Sequence, residues 1–526
     1  MIDIKTIEKK TIDLDGVAKF LDPNEKYKGL SESLIYQCLH ANERGDAEIL
    51  ALLMKNIIVF NLNEKKWYIY SNGVYTPDDI QSTRLECMNE IKRVYQFFTK
   101  MLKQKLADAI LKKDVSEITF YKNTIEAINK KIFKLQSKSK IDNVLDLLGR
   151  DYLKCNSKQF DSDGSKINLL NGVYDFETHQ LLQHDPKYLM KKQTGNNYDS
   201  NIYPEKWLEF LNTIFNNDAD IIRFFQQLFG IWLTGNTDFQ YLVFAFGSGA
   251  NGKSTIFNII QWLMNGEDPD KKGYPNTNGY FVKFDIQALL VQKTKNNTAD
   301  QNMASLQGTR LAIASELPSK ASLNENLVKD ITGGDPIMAR MLYGEPYSFY
   351  PTHNTIIFGN HKPIVKDASE GFWRRVLLLP FEVTIPENDR KPMSQIINEL
   401  KPEFSGIFNW AVEGYKDYKE NGLFIPDAVK IATEEYRSES NELLEFLEDS
   451  TDYIIKKEND DIKHELKEIF YEFAKWISED ESNRTTEIIN TKKLGEAMRV
   501  LGFKVKKASK NKTYVFGITK KDLFNK

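Results

Sequence analysis

The residues with the clearest chemical signature lie near the middle of the chain. An apolar run, Tyr241–Phe246, is followed by the glycine-rich run Gly247–Thr255 and then by a helical run, Ile256–Ile260. A strand, a loop and a helix in this order, with the loop pattern G-x-x-x-x-G-K-[ST], are typical of a phosphate-binding loop. Such a loop wraps backbone N–H groups around phosphate oxygens at the amino terminus of a helix. The segment therefore predicts a site for a nucleotide.

Two side chains of this loop have separate predicted tasks. We expect Lys253 to reach the β- and γ-phosphates as a point charge, and Ser254 to offer its hydroxyl to Mg²⁺. A chance glycine-rich turn is disfavoured, because the strand and the helix that the pattern requires are both present. The nine predicted ATP contacts are Gly247, Ser248, Gly249, Ala250, Asn251, Gly252, Lys253, Ser254 and Thr255.

Two later apolar runs end in polar side chains that suit the same site. Arg310–Glu316 ends in an acid, which can hold Mg²⁺ or polarise an attacking water. Thr355–Asn360 ends in an amide, which can orient that water. Each residue also has a structural interpretation, since Glu316 could end an ordinary surface strand and Asn360 could cap a turn.

An arginine pair, Arg374 and Arg375, stands directly before the apolar run Val376–Phe381. Guanidinium groups supplied by a neighbouring subunit stabilise charge on a transferred phosphoryl group, an effect of about 10³–10⁵ in rate. Salt bridges at the entrance of a strand explain the pair equally well. The spacing leaves both interpretations open and does not indicate which arginine would act.

The composition is that of a globular, multidomain protein. The chain has 526 residues, of which 41% are hydrophobic and 28% charged. At roughly 150 residues per domain this length corresponds to about three or four domains. No apolar run approaches the ~20 residues of a membrane-spanning helix, and the start carries no secretion signal. We therefore expect a protein of the host-cell cytoplasm, without membrane contact, in which Cys38, Cys87 and Cys155 are reduced thiols.

Positive charge is concentrated in two blocks, although the net charge is only −3. Residues 84–140 hold 14 Lys and Arg against 6 Asp and Glu, and residues 484–526 hold 12 against 3. The first block has helical periodicity and predicts one or two long helices. It fits a nucleic-acid surface and a solvated helix face equally well.

The second basic block predicts a winged-helix-like DNA-binding domain. Residues 491–501 favour a helix, and 502–507 and 513–518 favour strands around a lysine-rich wing, 508–512. Lysines on a wing suit the phosphates of duplex DNA and give sequence-independent affinity. The predicted contacts are Lys504, Lys506, Lys507, Lys510 and Lys512.

Taken in order, the motifs resemble those of superfamily 3 helicases, a branch of the AAA+ ATPases. The primase–helicase group of phages, plasmids and poxviruses is the best match, and the resemblance is strongest over residues 150–440. The segments that carry it are Asn168–Asp175, Gly247–Thr255, Ala314–Pro318, Lys329–Arg340, Phe358–Pro363 and Phe372–Arg375.

This resemblance implies an α/β fold with an AAA+ type P-loop ATPase core, in which helices flank a parallel sheet. A mixed α/β and helical region would precede the core, and the winged-helix-like domain would follow it. The expected boundaries are 1–150 for the amino-terminal region and possible collar, 151–235 for a helical domain, 236–440 for the ATPase, 441–480 for an acidic helical connector, and 481–526 for the basic domain.

The resemblance also implies a hexameric ring that hydrolyses ATP with Mg²⁺ and pulls single-stranded DNA through its channel, unwinding duplex. One subunit would supply Lys253, Glu316 and Asn360, and its neighbour would supply Arg374 or Arg375. Mg²⁺ would be held by Ser254 and Glu316. A separate primase or polymerase is expected, because residues 1–150 look too short for a primase and lack a convincing metal triad.

A hairpin turning at Tyr343–Pro346 would line the DNA channel in this family. Its tip is acidic and aromatic, which departs from members that place a basic tip there. Lys329 and Arg340 are therefore the better candidates for phosphate contact, and Tyr343 could stack on a base. Two other classes share the ATP site: a nucleotide-switched DNA-binding or loading protein, and a defence ATPase, neither of which unwinds DNA.

Overall fold

The computed structural model divides the chain into two compact units. One holds residues 1–160 with 185–191, and the other holds 161–184 with 192–526. The structure describes residues 27, 29–290, 303–315, 323–340, 346–363, 365, 370–439, 443, 446–447, 453–456, 461–479, 488, 490–507 and 512–520.

The first unit packs helices beside a small sheet of order β3–β2–β1–β4. Strands β1 and β4 are parallel, and the other neighbours are antiparallel. The elements are α1 (Glu32–His40), α2 (Asn42–Met54), β1 (Ile58–Asn61), β2 (Lys66–Ser71), β3 (Val74–Pro77), α3 (Ser82–Lys112), α4 (Val115–Lys134), α5 (Lys138–Leu147) and β4 (Lys154–Cys155).

The first basic block forms two long helices, α3 and α4, within the predicted one or two, and a shorter third helix, α5, begins at its end. Helix α3 ends because Lys113 adopts a left-handed conformation with φ 58°. Helix α4 starts at a new cap, since the side chain of Asp114 accepts a hydrogen bond from the N–H of Glu117. Ser137, in an extended conformation, separates α4 from α5. The segment lacks the usual helix breakers, but Asp and Ser also end helices because they cap new ones.

Many cations of this block form ion pairs within the unit. The most buried of these pairs joins Lys131 to Asp46 at 3.1 Å, and the hydroxyl of Tyr95 also donates to Asp46 at 2.6 Å. Five more cations pair with carboxylates, in the pairs Arg84–Asp142, Arg93–Glu90, Lys105–Glu32, Lys130–Glu126 and Lys140–Glu43. A substantial part of the positive charge therefore serves the fold of this unit.

The second unit contains a five-stranded sheet of order β14–β8–β13–β10–β9, in which every neighbouring pair is parallel. A mixed α/β class with a parallel sheet was expected, and the structure confirms it. The elements up to the last sheet strand are β5 (Lys166–Leu169), β6 (Gly172–Asp175), β7 (Gln180–Leu182), α6 (Glu205–Ile214), α7 (Ala219–Leu233), β8 (Leu242–Phe246), α8 (Lys253–Asn265), β9 (Phe281–Phe284), β10 (Leu311–Ser315), α9 (Glu325–Gly333), β11 (Ile337–Arg340), β12 (Pro346–Phe349), β13 (Asn354–Gly359), α10 (Glu370–Trp373) and β14 (Val376–Pro380).

Apolar side chains cover both faces of this sheet, which explains why its strands are continuous apolar runs. Val243 and Ala245 of β8 belong to a core that includes α7 and α8. Their neighbours Leu242 and Phe244 belong to a second core with residues of α9 and of a later helix. Because successive side chains of a strand point to opposite faces, the two cores lie on opposite sides of the sheet.

The hairpin β5–β6, part of the resembling segment 168–175, is fastened by a buried asparagine. Asn168 is fully buried, and its backbone N–H donates to the hydroxyl of Tyr280 at 3.2 Å. Its side-chain amide donates to the carbonyl of Lys192 at 3.0 Å. Tyr280 lies directly before β9, so these bonds attach the hairpin beside the parallel sheet.

The carboxy-terminal elements share one hydrophobic core. Phe446 and Phe473 lie in this core together with Leu494 and Val515. The acidic segment therefore packs with the basic one, whereas we expected a connector followed by a separate domain. The remaining elements are α11 (Met393–Leu400), α12 (Phe404–Asn421), α13 (Asp427–Glu439), β15 (Tyr453–Ile455), β16 (Lys463–Glu465), α14 (Leu466–Glu479), α15 (Thr491–Val500), β17 (Lys504–Lys507), β18 (Thr513–Phe516) and β19 (Ile518–Lys520).

The three cysteines, Cys38, Cys87 and Cys155, are buried free thiols, as the sequence predicted. Burial raises the pKa of each of these thiols to about 12. Over the described ranges, no helix has the length and the apolar content that crossing a membrane would require.

Candidate functional site

The glycine-rich loop lies between β8 and α8, in the strand–loop–helix order that the sequence predicts. Two of its glycines are required by close packing. A Cβ atom on Gly247 would lie 2.3 Å from the carbonyl oxygen of Phe381, and one on Gly252 would lie 2.6 Å from Cγ2 of Ile214. Gly252 also has φ 81°, a conformation that other residues rarely adopt. The backbone of the loop is thereby held close to its surroundings at both ends.

Lys253 is the first residue of α8 and is only 4% exposed. Its ammonium donates to the carbonyl of Gly247 at 2.6 Å, to Oδ1 of Asn251 at 3.1 Å and to Oδ1 of Asn360 at 3.3 Å. These acceptors are neutral. Burial lowers the pKa of Lys253 to about 8, because desolvation disfavours the charged amine. The site therefore holds a desolvated cation that an anion would stabilise.

Asn360 reaches Lys253 because of the sheet order. Strand β13 neighbours β8, with Gly359 opposite Phe246, so Asn360 follows β13 at the edge where the loop follows β8. The carboxyl ends of parallel strands are the usual place for ligand sites in α/β sheets. The structure thus brings Lys253, Asn251 and Asn360 together.

Asn251 connects the loop to a neighbouring strand, a role that its place in the motif did not indicate. It is 3% exposed, and its amide donates to the carbonyl of Phe381 at 3.1 Å while its oxygen accepts from Lys253. Phe381, whose N–H donates to the carbonyl of Phe246 at 2.8 Å, was missed as a site residue. Its position as the last residue of the apolar run 376–381 was the only available signal. Asn251 therefore ties the loop to the strand that follows the arginine pair.

The remaining loop side chains are more accessible than Lys253. Ser248, Ala250 and Ser254 are exposed, and Thr255 is partly buried. In the described part of the chain, no three or more His, Cys, Asp or Glu side chains are grouped to hold a metal ion. The predicted second Mg²⁺ ligand, Glu316, lies outside the described residues.

The two arginines occupy the opposite end of the sheet. Strands β14 and β8 pair with Val376 opposite Leu242, so Arg374 and Arg375 stand at the amino end of β14. The loop follows the carboxyl end of β8, about 13 Å away at ~3.3 Å per strand residue. The structure therefore does not bring the arginines to Lys253 of the same chain.

The two arginines also differ from each other. Arg374 is exposed, whereas Arg375 is partly buried. Nη1 of Arg375 donates to the carbonyl of Gly371 at 2.8 Å, and its own carbonyl accepts from the N–H of Leu242 at 2.6 Å. Arg375 is thus held by its own chain, and Arg374 is the arginine available to another molecule.

The residues predicted to contact DNA are spread over two regions. The hairpin β11–β12 is antiparallel, with Arg340 opposite Pro346, and Arg340 is exposed while Lys329 on α9 is partly buried. Tyr343, at the predicted tip, lies outside the described residues.

In the carboxy-terminal region, Lys504, Lys506 and Lys507 lie exposed on β17. Lys512 forms an ion pair with Glu465, which raises the pKa of Lys512. A phosphate would have to displace Glu465 to bind the ammonium of Lys512. Lys510 lies outside the described residues.

Two protein families match parts of the chain. Residues 47–216 match a family described as D5 N terminal like. Residues 245–375 match a family of unknown function, DUF5906. The second match begins within β8 and ends at Arg375, so it includes the loop, Asn360 and both arginines.

Viral proteins with provisional helicase names are similar to this chain. They include L207/L206 of Acanthamoeba polyphaga mimivirus, 23% identical over 355 residues, and 184R of Invertebrate iridescent virus 6, 25% identical over 417 residues. These alignments cover 64% and 72% of this chain but only 35% and 41% of the viral proteins. The chain therefore spans well under half the length of these relatives.

Among solved structures, the apo A form of the NrS-1 C terminal region is similar at a TM-score of 0.47 and 12% identity. The alignment covers 91% of this chain and 99% of that one.

The contrast between the two arginines predicts a difference in stability. Arg375→Ala should destabilise the second unit by about 1–2 kcal/mol, because it leaves a carbonyl without its donor. Arg374→Ala should leave stability within about 0.5 kcal/mol, as for other exposed positions. Thermal unfolding of the two purified variants measures this. Equal losses of stability in both variants would contradict the assignment of Arg375 as the structural member of the pair.

Proposed function

We propose that this chain is an ATP-driven DNA helicase of the phage and viral primase–helicase group, a proposal supported by its D5 N terminal like segment and by its similarity to the viral proteins with helicase names. It acts as a hexameric ring that translocates on single-stranded DNA and unwinds duplex. The observation that carries the proposal is the buried ammonium of Lys253, whose acceptors among the described residues are all neutral and include Asn360.

The loop suits the triphosphate of ATP on physical grounds. A phosphate would replace the neutral acceptors of Lys253 with an anion. The anion would stabilise the charged form of this amine, whose pKa is lowered to about 8 by burial. The first N–H groups of α8, a helix of 13 residues, point toward the same place and favour negative charge. Ser254, exposed at the start of α8, and Glu316, which follows β10, would hold Mg²⁺. The bound metal would neutralise part of the negative charge on the phosphates.

Asn360 is proposed to orient the attacking water. Its side-chain oxygen now accepts from Lys253 at 3.3 Å. If Lys253 turns to the phosphate, that oxygen is released and becomes an acceptor for a water at the carboxyl edge of the sheet. Glu316 would polarise the same water. It directly follows Ser315, the last residue of β10, and β10 is the neighbour of β13 in the sheet.

The arginine pair supports hydrolysis between subunits. Arg374 is exposed and lies at the end of the sheet away from its own loop. An exposed guanidinium in that position serves the site of a second copy, where it would stabilise charge on the transferred phosphoryl group. Each site is then complete only when two copies meet, and a closed ring gives every subunit a partner.

DNA contact is proposed for both regions of predicted cations. Lys329, Arg340 and Tyr343 would contact single-stranded DNA in the channel. The exposed lysines of β17 would contact duplex phosphates, and the same role is proposed for Lys510 and Lys512. Primer synthesis would belong to a separate primase or polymerase.

A forked-duplex assay with ATP tests the proposal. The wild-type protein should displace a strand on forks with one tail polarity only. Lys253→Ala should reduce ATP hydrolysis by at least about 100-fold, as for loss of one preorganised electrostatic donor, and should abolish displacement. DNA-stimulated hydrolysis without displacement would contradict unwinding and favour the loading or switch protein.

The lowered pKa of Lys253 predicts a pH dependence of nucleotide affinity. Below pH 7.5 the amine is mostly charged, so affinity should be nearly constant. Above a pKa of about 8 the free site loses its proton, and affinity for Mg²⁺–ATP should fall by up to about tenfold per pH unit. Calorimetric titration from pH 6.5 to 9.5 measures this. Lys253→Arg, which stays charged throughout, is the control, and an equal decline in that variant would contradict the assignment.

A further inference from the structure

Helix α13 packs against β14, and its residue Tyr436 lies in the core on the face of the sheet opposite α8. Tyr436 is 1% exposed, and its hydroxyl donates to the carbonyl of Pro363 at 2.7 Å. Its ring lies 5.7 Å from that of Phe244 on β8 and 5.2 Å from that of Trp373. A single buried tyrosine therefore contacts strand β8 of the sheet and two other segments.

The first of these segments directly follows Asn360. Pro363, which accepts the hydroxyl of Tyr436, is three residues beyond Asn360. Lys362 lies between them, and its ammonium pairs with Glu439 of α13 at 2.6 Å. That ammonium also lies 5.1 Å from the ring of Phe246, the last residue of β8. The chain after Asn360 is thus held to α13 by two separate bonds.

The second segment leads into the arginine pair. Trp373 is 6% exposed and directly precedes Arg374, and its ring meets that of Tyr436 edge-on at 80°. The hydroxyl of Thr433 on α13 accepts from the N–H of Leu378 on β14 at 2.9 Å. Helix α13 is therefore bonded to β14, the strand that follows the arginines. The ring of Tyr436 contacts Trp373, the residue that precedes them.

We propose that Tyr436 is a positioning residue that couples Asn360 to Arg374. The inference rests on the proposed function: Asn360 would report on the nucleotide of its own subunit, and Arg374 would serve the nucleotide of the neighbour. A shift of Asn360 displaces Lys362 and Pro363, and the buried hydroxyl of Tyr436 transmits that displacement to Trp373. Such transmission is expected because close-packed interiors shift between discrete arrangements instead of deforming gradually.

The Tyr436→Phe variant tests the coupling, since it removes the hydroxyl and keeps the ring. Steady-state ATP hydrolysis should show kcat reduced by about fivefold or more, within the usual range of coupling factors, with KM within about twofold. Lys362→Met, which removes the second bond to α13, should lower kcat in the same direction. The matched control is Tyr415→Phe, because Tyr415 is buried in the core on the other face of the sheet.

Hydrogen exchange with a non-hydrolysable ATP analogue separates the possible failures. In the wild type, the analogue should slow exchange in residues 247–255 and change exchange in residues 370–373. In Tyr436→Phe the first effect should persist and the second should be lost, while Tyr415→Phe keeps both. An unchanged response of residues 370–373 in Tyr436→Phe would overturn the coupling alone. No response of residues 247–255 in the wild type would overturn the proposed function, and the coupling with it.

Discussion

The buried ammonium of Lys253 is the constraint on which the site depends. A desolvated cation is costly unless a negative charge accompanies it, and here the ammonium donates to a backbone carbonyl and two amide oxygens. Each partner is held in turn: Asn251 by Phe381, and Asn360 by its position after β13. The fold thus maintains a positive charge at a helix amino terminus, where a phosphate is the natural complement.

The parallel sheet determines which residues meet at the site and which lie at the opposite edge. Because β8 and β13 run the same way, the loop and Asn360 meet at the carboxyl edge. Because β14 is parallel to both, the residues before it lie at the other edge. One chain therefore offers most of a site at one end and an exposed arginine at the other. This arrangement suits an assembly in which each copy completes the nucleotide site of its neighbour.

Much of this arrangement follows from the sequence, because apolar runs and a glycine loop have strong local signatures. The strand before Gly247 and the helix after it could be predicted from the pattern of residues 241–260 alone. The sequence could not show that Asn251 binds Phe381 or that Tyr436 contacts both Pro363 and Trp373, because these contacts join distant segments through packing. The breaks at Lys113 and Ser137 were missed because a cap depends on local backbone conformation more than on periodicity.

Mixing two inactive variants tests the central claim, that a site is completed by the neighbour's arginine. Lys253→Ala lacks the loop cation but retains Arg374, and Arg374→Ala has the converse defect. Each alone should hydrolyse little ATP. A one-to-one mixture should recover activity, since random assembly pairs an intact loop with an intact arginine at about a quarter of interfaces. Mixtures containing the double variant in place of Lys253→Ala should recover none. Absence of recovery in the first mixture, or full activity of Arg374→Ala alone, would contradict the account.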